Sequence, residues 1–186
     1  MAESTRPRAV LLETCILAGG LSSRMGRDKS SLRLGRKTLL GHVRAAAGAL
    51  DAPVRVIRRD QIKRCGPLGG VFTALTTTSA EAVLFLACDM PFVPGTLLRA
   101  IIEQHIVFGR AAFTRMDRAG FPFILPKAAL PTVANQIQQG RHSLQALAAK
   151  LNAEFYEPLL EEVEGLFNVN TPGDWERARQ YYRQKY

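Results

Sequence analysis

The sequence lacks several features that mark particular classes of protein. No apolar run is long enough to span a bilayer, and residues Met1 to Arg8 carry charges without the apolar core and small-residue cleavage site of a signal peptide. We therefore expect a cytoplasmic protein without a membrane partner. The three cysteines, Cys15, Cys65 and Cys88, are too few and too widely spaced for a disulfide framework or a zinc site. Cys65 lies in a polar loop, where a partly exposed thiol is expected.

The composition is that of an ordinary globular domain, with 47% apolar and 22% charged residues. A length of 186 residues suits one domain spanning the whole chain, with residues 1–8 expected to be flexible. Lys and Arg number 25 against 16 Asp and Glu, a net charge of +9, which favours anionic partners. The basic residues do not form one run interleaved with aromatics, so phosphorylated small molecules are expected rather than nucleic acid.

The hydrophobic pattern alternates strands with helices. Strands are predicted at Val10–Leu17, Val54–Ile57, Ala82–Cys88, Ala111–Thr114, Phe121–Leu125 and Ala153–Tyr156. Helices are predicted at Thr38–Leu50, Leu68–Thr78, Pro94–Val107, Leu130–Gln138 and Ser143–Leu151, with a last one that begins after the N-cap Thr171 and runs towards Tyr186. Continuous apolar strands between helices predict an α/β fold, a mostly parallel sheet covered on both faces. Ligands of such sheets bind beyond the carboxyl ends of the strands.

The loop after the first strand reads Leu-Ala-Gly-Gly-Leu-Ser-Ser-Arg-Met-Gly-Arg-Asp-Lys from Leu17 to Lys29. Gly19 and Gly20 allow a tight turn whose N–H groups approach an anion closely. Arg24 and Lys29 add positive charge for a triphosphate and its leaving pyrophosphate. Two glycines alone would favour an ordinary turn, but the added Ser, Arg and Lys favour phosphate binding. The glycine spacing fits neither a Walker A loop nor a dinucleotide fingerprint.

Asp89 follows the apolar run that ends at Cys88. A carboxylate at the carboxyl end of a central strand is well placed for Mg²⁺, which proteins usually hold through one or two carboxylates plus substrate phosphates. The alternative role is a helix cap or turn former, which is common for Asp. Spacing alone does not separate the two.

The loop motif from Leu17 to Lys29 resembles that of the MobA-type nucleotidyltransferases. Three further strings fall in the same order and resemble the molybdenum cofactor guanylyltransferases within that family: Gly-Pro-Leu-Gly-Gly from Gly66, Cys-Asp-Met-Pro-Phe from Cys88, and Asn-Val-Asn-Thr-Pro from Asn168. The resemblance covers nearly the whole chain from Cys15 to about Trp175. It implies a Rossmann-like three-layer sandwich of the nucleotide-diphospho-sugar transferase type.

The resemblance also implies site residues. The nucleotide would be contacted by the backbone of Leu17, Ala18, Gly19 and Gly20. Its phosphates would be contacted by Arg24 and Lys29, and Mg²⁺ would be bound by Asp89. Asp60 would lie near the nucleotide, and the nucleotide pocket would be lined by Pro67, Leu68, Gly69 and Gly70. Asn168 and Asn170 would face the pterin substrate or the reaction centre, with turn formation ahead of the last helix as the open alternative. The implied reaction is attack by a substrate phosphate on the α-phosphate of GTP, with pyrophosphate leaving.

The chain departs from the family after its first helix. Leu50 runs almost directly into Val54, where the family has an additional strand and helix that supply an asparagine near the base. Transfer of GMP from GTP to a molybdopterin cofactor is the leading hypothesis. Cytidylyl transfer, transfer to a sugar phosphate, and an inactive nucleotide-binding paralogue are the alternatives. The expected partners are GTP, the anionic pterin and a molybdoenzyme or cofactor-biosynthesis protein.

Overall fold

The computed structural model describes residues 10–19 and 32–185. Its strands are β1 Leu12–Leu17, β2 Arg33–Leu34, β3 Lys37–Thr38, β4 Val54–Ile57, β5 Ala82–Ala87, β6 Ala112–Arg115, β7 Ala119–Pro126 and β8 Glu154–Tyr156. Its helices are α1 Leu39–Gly48, α2 Pro67–Thr77, α3 Gly95–Phe108, α4 Leu130–Gln138, α5 Leu144–Lys150, α6 Leu160–Val163 and α7 Pro172–Lys185, with a 3-10 turn at Lys127–Ala129. The segment 1–8, expected to be flexible, lies outside the described residues.

Six strands form the main sheet in the order β4-β1-β5-β7-β6-β8. The pairs β1–β4, β1–β5 and β6–β8 are parallel, whereas β7 runs antiparallel to both of its neighbours. The predicted mostly parallel sheet is confirmed. The strands β2 and β3 form a separate antiparallel hairpin.

Alternation along the strands divides the core between the two faces of the sheet. In β1, Cys15 packs on one face and Ile16 on the other, and in β5 Phe85 and Leu84 divide in the same way. Helices α2, α4 and α5 contribute to the first face, and α1 and α3 to the second. A strand buried on both faces favours apolar residues along its length, which is why β5 is a continuous apolar run. In β1 the run is interrupted by Glu13 and Thr14.

Residues at the helix ends explain where several helices begin and stop. The Thr38 hydroxyl accepts the Gly41 N–H at 3.0 Å at the start of α1, as an N-cap side chain does. The Thr171 hydroxyl accepts the Asp174 N–H at 3.1 Å, which confirms the predicted start of α7. Helix α3 ends at Gly109 in the left-handed conformation (φ 64°), which glycine adopts without a Cβ clash.

The structure adds elements that the sequence pattern did not predict. They are the β2–β3 hairpin and the four-residue helix α6. One expectation was wrong: the Cys65 side chain is buried, with 5% of the residue exposed. The Cys65 thiol donates to the Lys63 carbonyl oxygen at 3.4 Å, and the Cys65 carbonyl oxygen accepts the Leu68 N–H at 3.2 Å in the turn into α2. Across the described residues, no helix has the length and apolar character to cross a membrane.

Three phenylalanines stack across the centre of the sheet. Phe123 on β7 lies directly opposite Phe85 on β5 and Phe113 on β6. Its ring centroid is 5.0 Å from that of Phe85 and 4.7 Å from that of Phe113, and none of the three residues is exposed. Cross-strand aromatic pairs stabilise a sheet beyond the area that they bury. Phe123 therefore joins the parallel and antiparallel parts of the core.

We expect Phe123→Ala to lower the free energy of unfolding by about 3–5 kcal/mol, because it leaves a cavity between two rings. Phe108→Ala is the matched control, because Phe108 is 54% exposed at the end of α3 and surface changes usually stay within about 0.5 kcal/mol. Urea unfolding followed by circular dichroism measures both. Equal losses in the two variants would contradict the role given to the stack.

Candidate active site

The ends of three parallel strands lie level at one edge of the sheet. Leu17 of β1 pairs with Ile57 of β4 on one side and with Ala87 of β5 on the other. The pairing continues one residue further, because the Ala18 N–H donates to the Ile57 carbonyl at 2.8 Å and the Cys88 N–H donates to the Leu17 carbonyl at 3.1 Å. The start of the predicted glycine loop therefore lies beside Cys88, the residue that precedes the predicted metal ligand Asp89.

Asp60 lies beside the glycines of two predicted motifs. A Cβ atom built on Gly19 would be 3.3 Å from the Asp60 Oδ1, and one on Gly69 would be 2.9 Å from its Oδ2 and 2.6 Å from the Ile62 carbonyl. A Cβ on Gly70 would be 3.0 Å from the Leu17 side chain. Glycine at these positions lets α2 approach the end of β1 this closely. The structure thus brings Asp60 next to the nucleotide motifs with which it was grouped.

Burial raises the pKa of the Asp60 carboxyl above its ordinary value. The cause is loss of water around the charged form, since Asp60 is half-buried against α2 and the end of β1. A carboxylate in such a position gains from donors that replace the lost water. Ribose hydroxyls and the N–H groups of a base are donors of this kind.

Pro67, Leu68, Gly69 and Gly70 form the first turn of α2. The turn is entered through Gly66 at φ 55° and ψ −142°, a conformation open in practice to glycine alone. Gly66 provides no side-chain cap. The Gly-Pro-Leu-Gly-Gly string is therefore a helix start, as predicted, and it faces the end of β1.

Asp89 meets the last of the four motifs through the backbone. The Val169 N–H donates to the Asp89 carbonyl oxygen at 2.8 Å. Val169 is fully buried, whereas Asn168 is exposed and Asn170 half-buried. The two asparagines therefore flank the residue that enters the core and are themselves more accessible than it. The structure brings the two asparagines to the end of β5, next to Asp89.

Residues 168–171, which we call the asparagine segment, lead directly into the last helix, α7. Asp174 Oδ2 accepts the N–H groups of Asn170 at 3.0 Å and Thr171 at 2.8 Å. These hydrogen bonds lower the pKa of the Asp174 carboxyl, and the bond from the Asn170 N–H has the largest effect. The turn-forming role considered for the asparagines is met by backbone groups and Asp174, which leaves the Asn168 side chain outside this cap.

Three of the predicted site residues, Gly20, Arg24 and Lys29, lie outside the described residues. The chain re-enters the described part at Leu32 and forms the β2–β3 hairpin. His42 Nε2 lies 2.8 Å from the Leu34 carbonyl oxygen, and the Tyr182 hydroxyl occupies the space where Gly35 lacks a Cβ. Helices α1 and α7 thus contact the β2–β3 hairpin, which follows the predicted phosphate loop in the sequence. Gly35, which adopts φ 61° in the turn, is the sequence signal that could have indicated this hairpin.

The donor set at Asp89 fits a magnesium ion that arrives with a nucleotide. Among the described residues, no group of three or more His, Cys, Asp or Glu side chains could hold a metal by itself. Mg²⁺ does not need such a group, because it usually keeps several waters and binds one or two carboxylates together with substrate phosphates. Asp89, half-buried at the end of β5, provides one such carboxylate.

A cavity of about 670 Å³ lies elsewhere, between the hairpin, α1, the start of α3, α6 and α7. Residues that line it include Arg36, His42, Phe92, Glu162 and Tyr182. None of the predicted site residues that the structure describes lines this cavity. We therefore assign the candidate site to the strand ends, where the four motifs meet, and not to this cavity.

The chain is similar to known proteins over most of its length. The family model described as MobA-like NTP transferase domain matches residues 14–155. A protein from Synechococcus elongatus named "Probable molybdenum cofactor guanylyltransferase" is 34% identical over 185 residues, covering 87% of this chain and 94% of the relative.

Two solved structures share the fold. Molybdopterin-guanine dinucleotide biosynthesis protein A from Archaeoglobus fulgidus gives a TM-score of 0.73 at 22% identity, covering 92% of this chain and 99% of that chain. 2-C-methyl-D-erythritol 4-phosphate cytidylyltransferase from Thermus thermophilus gives 0.70 at 18% identity, covering 91% and 98%. The expected sandwich of the nucleotidyltransferase type is confirmed.

The connection after Leu50 is short in the structure as well as in the sequence. The chain turns at Asp51 (φ 52°) and enters β4, which pairs directly with β1.

We expect Gly69→Ala to lower the free energy of unfolding by about 1–3 kcal/mol, because its Cβ would force α2 away from the Asp60 loop. Gly48→Ala is the control. No atom lies within 4 Å of its added Cβ, and Ala in a helix is favoured over Gly by about 0.5–1 kcal/mol. Thermal unfolding of both variants decides, and a Gly69→Ala protein as stable as the parent would contradict the close packing.

Proposed function

Because this chain belongs to the MobA-like NTP transferase family, we propose that it transfers GMP from GTP to a molybdopterin-type cofactor and releases pyrophosphate. The observation that supports this most strongly is the 34% identity to a relative named as a molybdenum cofactor guanylyltransferase, over 87% of this chain. The meeting of Asp89 with Asn168 and Asn170 at the end of β5 agrees with a site that accepts two substrates.

In this proposal the nucleotide lies between β1 and α2. The backbone of Leu17, Ala18, Gly19 and Gly20 contacts it from one side, and Pro67, Leu68 and Gly69 line the other. Asp60, between these two segments, accepts hydrogen bonds from the base or the ribose. A carboxylate would repel the phosphates, so we place the triphosphate on the far side, towards Arg24 and Lys29.

The reaction is an exchange of bonds at the α-phosphorus of GTP. A phosphate oxygen of the pterin substrate forms a bond to that phosphorus, and the bond to the bridging oxygen breaks, so that its electron pair leaves with pyrophosphate. Arg24 and Lys29 stabilise the negative charge that develops on the leaving group. The protein needs no covalent nucleophile, since positioning and charge stabilisation provide most of the catalysis of phosphoryl-type transfers.

Asp89 is the residue that would hold Mg²⁺, which when bound neutralises phosphate charge and helps to align the reacting groups. Asn168 and Asn170 are proposed to contact the pterin substrate, with the exposed Asn168 side chain reaching furthest from the core. The product would pass to a molybdoenzyme or to another cofactor-biosynthesis protein.

The base that the protein selects is tested by comparing how far GTP, CTP and ATP, each with Mg²⁺, raise its melting temperature. We expect GTP to raise the melting temperature most, since a ligand at one hundred times its Kd adds about 2.7 kcal/mol of stability. Incubation with molybdopterin cofactor, Mg²⁺ and mixed nucleotides, followed by mass spectrometry, should give the GMP adduct. A CMP adduct would favour cytidylyl transfer, which the shortened connection after Leu50 leaves open, and no adduct would favour an inactive paralogue.

We expect Asp89→Asn and Lys29→Ala each to lower the rate of GMP transfer by about one hundredfold or more, the usual cost of removing a group that stabilises charge in the transition state. Asp117→Asn, in the exposed turn between β6 and β7, makes the same chemical change away from the site. Lys150→Ala, exposed at the end of α5, is the control for Lys29. The rate of pyrophosphate release is measured for all four variants. Unchanged rates in both Asp89→Asn and Lys29→Ala would exclude the catalytic roles assigned to these two residues.

A further inference from the structure

A buried carboxylate lies behind the asparagine segment. Glu162 in α6 is 2% exposed and accepts hydrogen bonds from three donors. The Thr96 hydroxyl donates to Oε1 at 2.8 Å, the Tyr156 hydroxyl to Oε2 at 2.9 Å, and the Leu159 N–H to Oε2 at 3.1 Å. A buried carboxylate is costly unless donors replace its water, and these three donors meet that need.

The donors come from three different parts of the fold. Thr96 lies in the first turn of α3, Tyr156 ends β8, and Leu159 precedes α6. Burial and the hydrogen bond to Glu162 raise the pKa of the Tyr156 hydroxyl to about 12, so it remains a donor at any physiological pH. Glu162 therefore ties α6 to the second face of the sheet.

The chain that follows Glu162 is fixed at two further points. Gly165 lies so close to the loop between β5 and α3 that an added Cβ would meet the Phe92 carbonyl oxygen and would lie 3.2 Å from Pro94. Val169 then donates its N–H to the Asp89 carbonyl at 2.8 Å. Between Glu162 and Val169 the chain thus runs along the loop that joins β5 to α3. It contacts the α3 end of that loop first and the Asp89 end last.

We propose that Glu162 is a positioning residue for the transfer reaction: by fixing α6 against Thr96 and Tyr156, it sets the place of Asn168 and Asn170 beside Asp89. The proposal rests on the function proposed above, because it gives the asparagines their substrate. Glu162 is buried, its carboxylate oxygens accept hydrogen bonds from three protein donors, and it is not among the residues that meet at the strand ends. It acts through the segment that it anchors.

The choice of a carboxylate supports a positioning role. An apolar side chain at this place would bury α6 at a lower desolvation cost, and replacing buried charges by apolar residues is often neutral or stabilising. Three directed hydrogen bonds, by contrast, fix the orientation of α6 as well as its burial. A helix of four residues has little stability of its own, so its position depends on such contacts.

The test compares Glu162→Ala with Glu161→Ala. Glu161 is the neighbouring residue of the same helix and is exposed, so its variant removes the same charge and leaves the three hydrogen bonds to Glu162 in place. The first measurement is amide hydrogen exchange of the peptide that contains Val169. We expect Glu162→Ala to speed exchange there by about tenfold, because local opening becomes easier, while Glu161→Ala and the peptides of β5 stay at the parent rate.

The second measurement is steady-state kinetics. We expect Glu162→Ala to lower kcat/KM for the pterin substrate by about tenfold, as displacement of positioning groups does, with the Kd for GTP unchanged. Glu162→Gln keeps an acceptor oxygen and should recover part of the loss. If Glu162→Ala fails to fold, Tyr156→Phe removes a single hydrogen bond and should show the same changes at a smaller size.

Three outcomes would overturn the proposal: parent-like exchange at Val169 in Glu162→Ala, faster exchange with undiminished kcat/KM, or an equal loss of GTP binding. A parent protein that transfers no GMP would defeat the proposed function instead. In that case the hydrogen exchange of Val169, together with acrylamide quenching of Trp175, the single tryptophan just beyond the segment, still decides whether Glu162 positions it.

Discussion

The parallel pairing of β1 with both β4 and β5 is the constraint on which the candidate site depends. Leu17 lies in register with Ile57 on one side and with Ala87 on the other, so three chain segments leave the sheet at the same height. Parallel strands cannot be joined by tight turns; their connections must cross a face and return. Each segment therefore leaves the edge as a loop that leads to a helix or hairpin, and the polar residues of these loops have no place to lie except beside one another.

Much of this arrangement could be predicted from the sequence, because burial on both faces leaves a strong pattern. Apolar runs located β1 and β5, and β4 and α4 have the bounds that were predicted. The β2–β3 hairpin and α6 were missed for physical reasons. A strand of two residues shows no period, and α6 is held by Glu162, a buried carboxylate that any hydropathy pattern places in solvent. Its three donors lie up to 66 residues away along the chain, so only the folded structure brings them together.

The glycine motifs show a second limit of sequence reasoning. Gly19 was interpreted as a place where the backbone approaches an anion. The family resemblance implied that Gly69 lines the nucleotide pocket and that Asp60 lies near the nucleotide. In the fold, Gly69 also lets α2 pack against the Ile62 carbonyl and the Asp60 carboxylate. A glycine required for packing and one required for a ligand look the same in a sequence. Which of the two requirements is stronger at Gly19 depends partly on residues 20–31, whose contacts with phosphate stay a prediction.

The site divides into two parts that are held by different regions of the chain. The nucleotide side consists of the end of β1, the loop after β4 and the start of α2, and the asparagine side consists of the Asp89 loop, α6 and the start of α7. The two are joined through the adjacent ends of β1 and β5, where the Cys88 N–H meets the Leu17 carbonyl. The shortened connection after Leu50 lies wholly on the nucleotide side, since it determines that β4 pairs directly with β1. In the proposed function, a change in the connection after Leu50 would alter the base that is accepted and leave the asparagine side in place, because the Glu162 and Val169 contacts involve no residue of β4. Base selectivity and acceptor positioning would then depend on different regions of the chain.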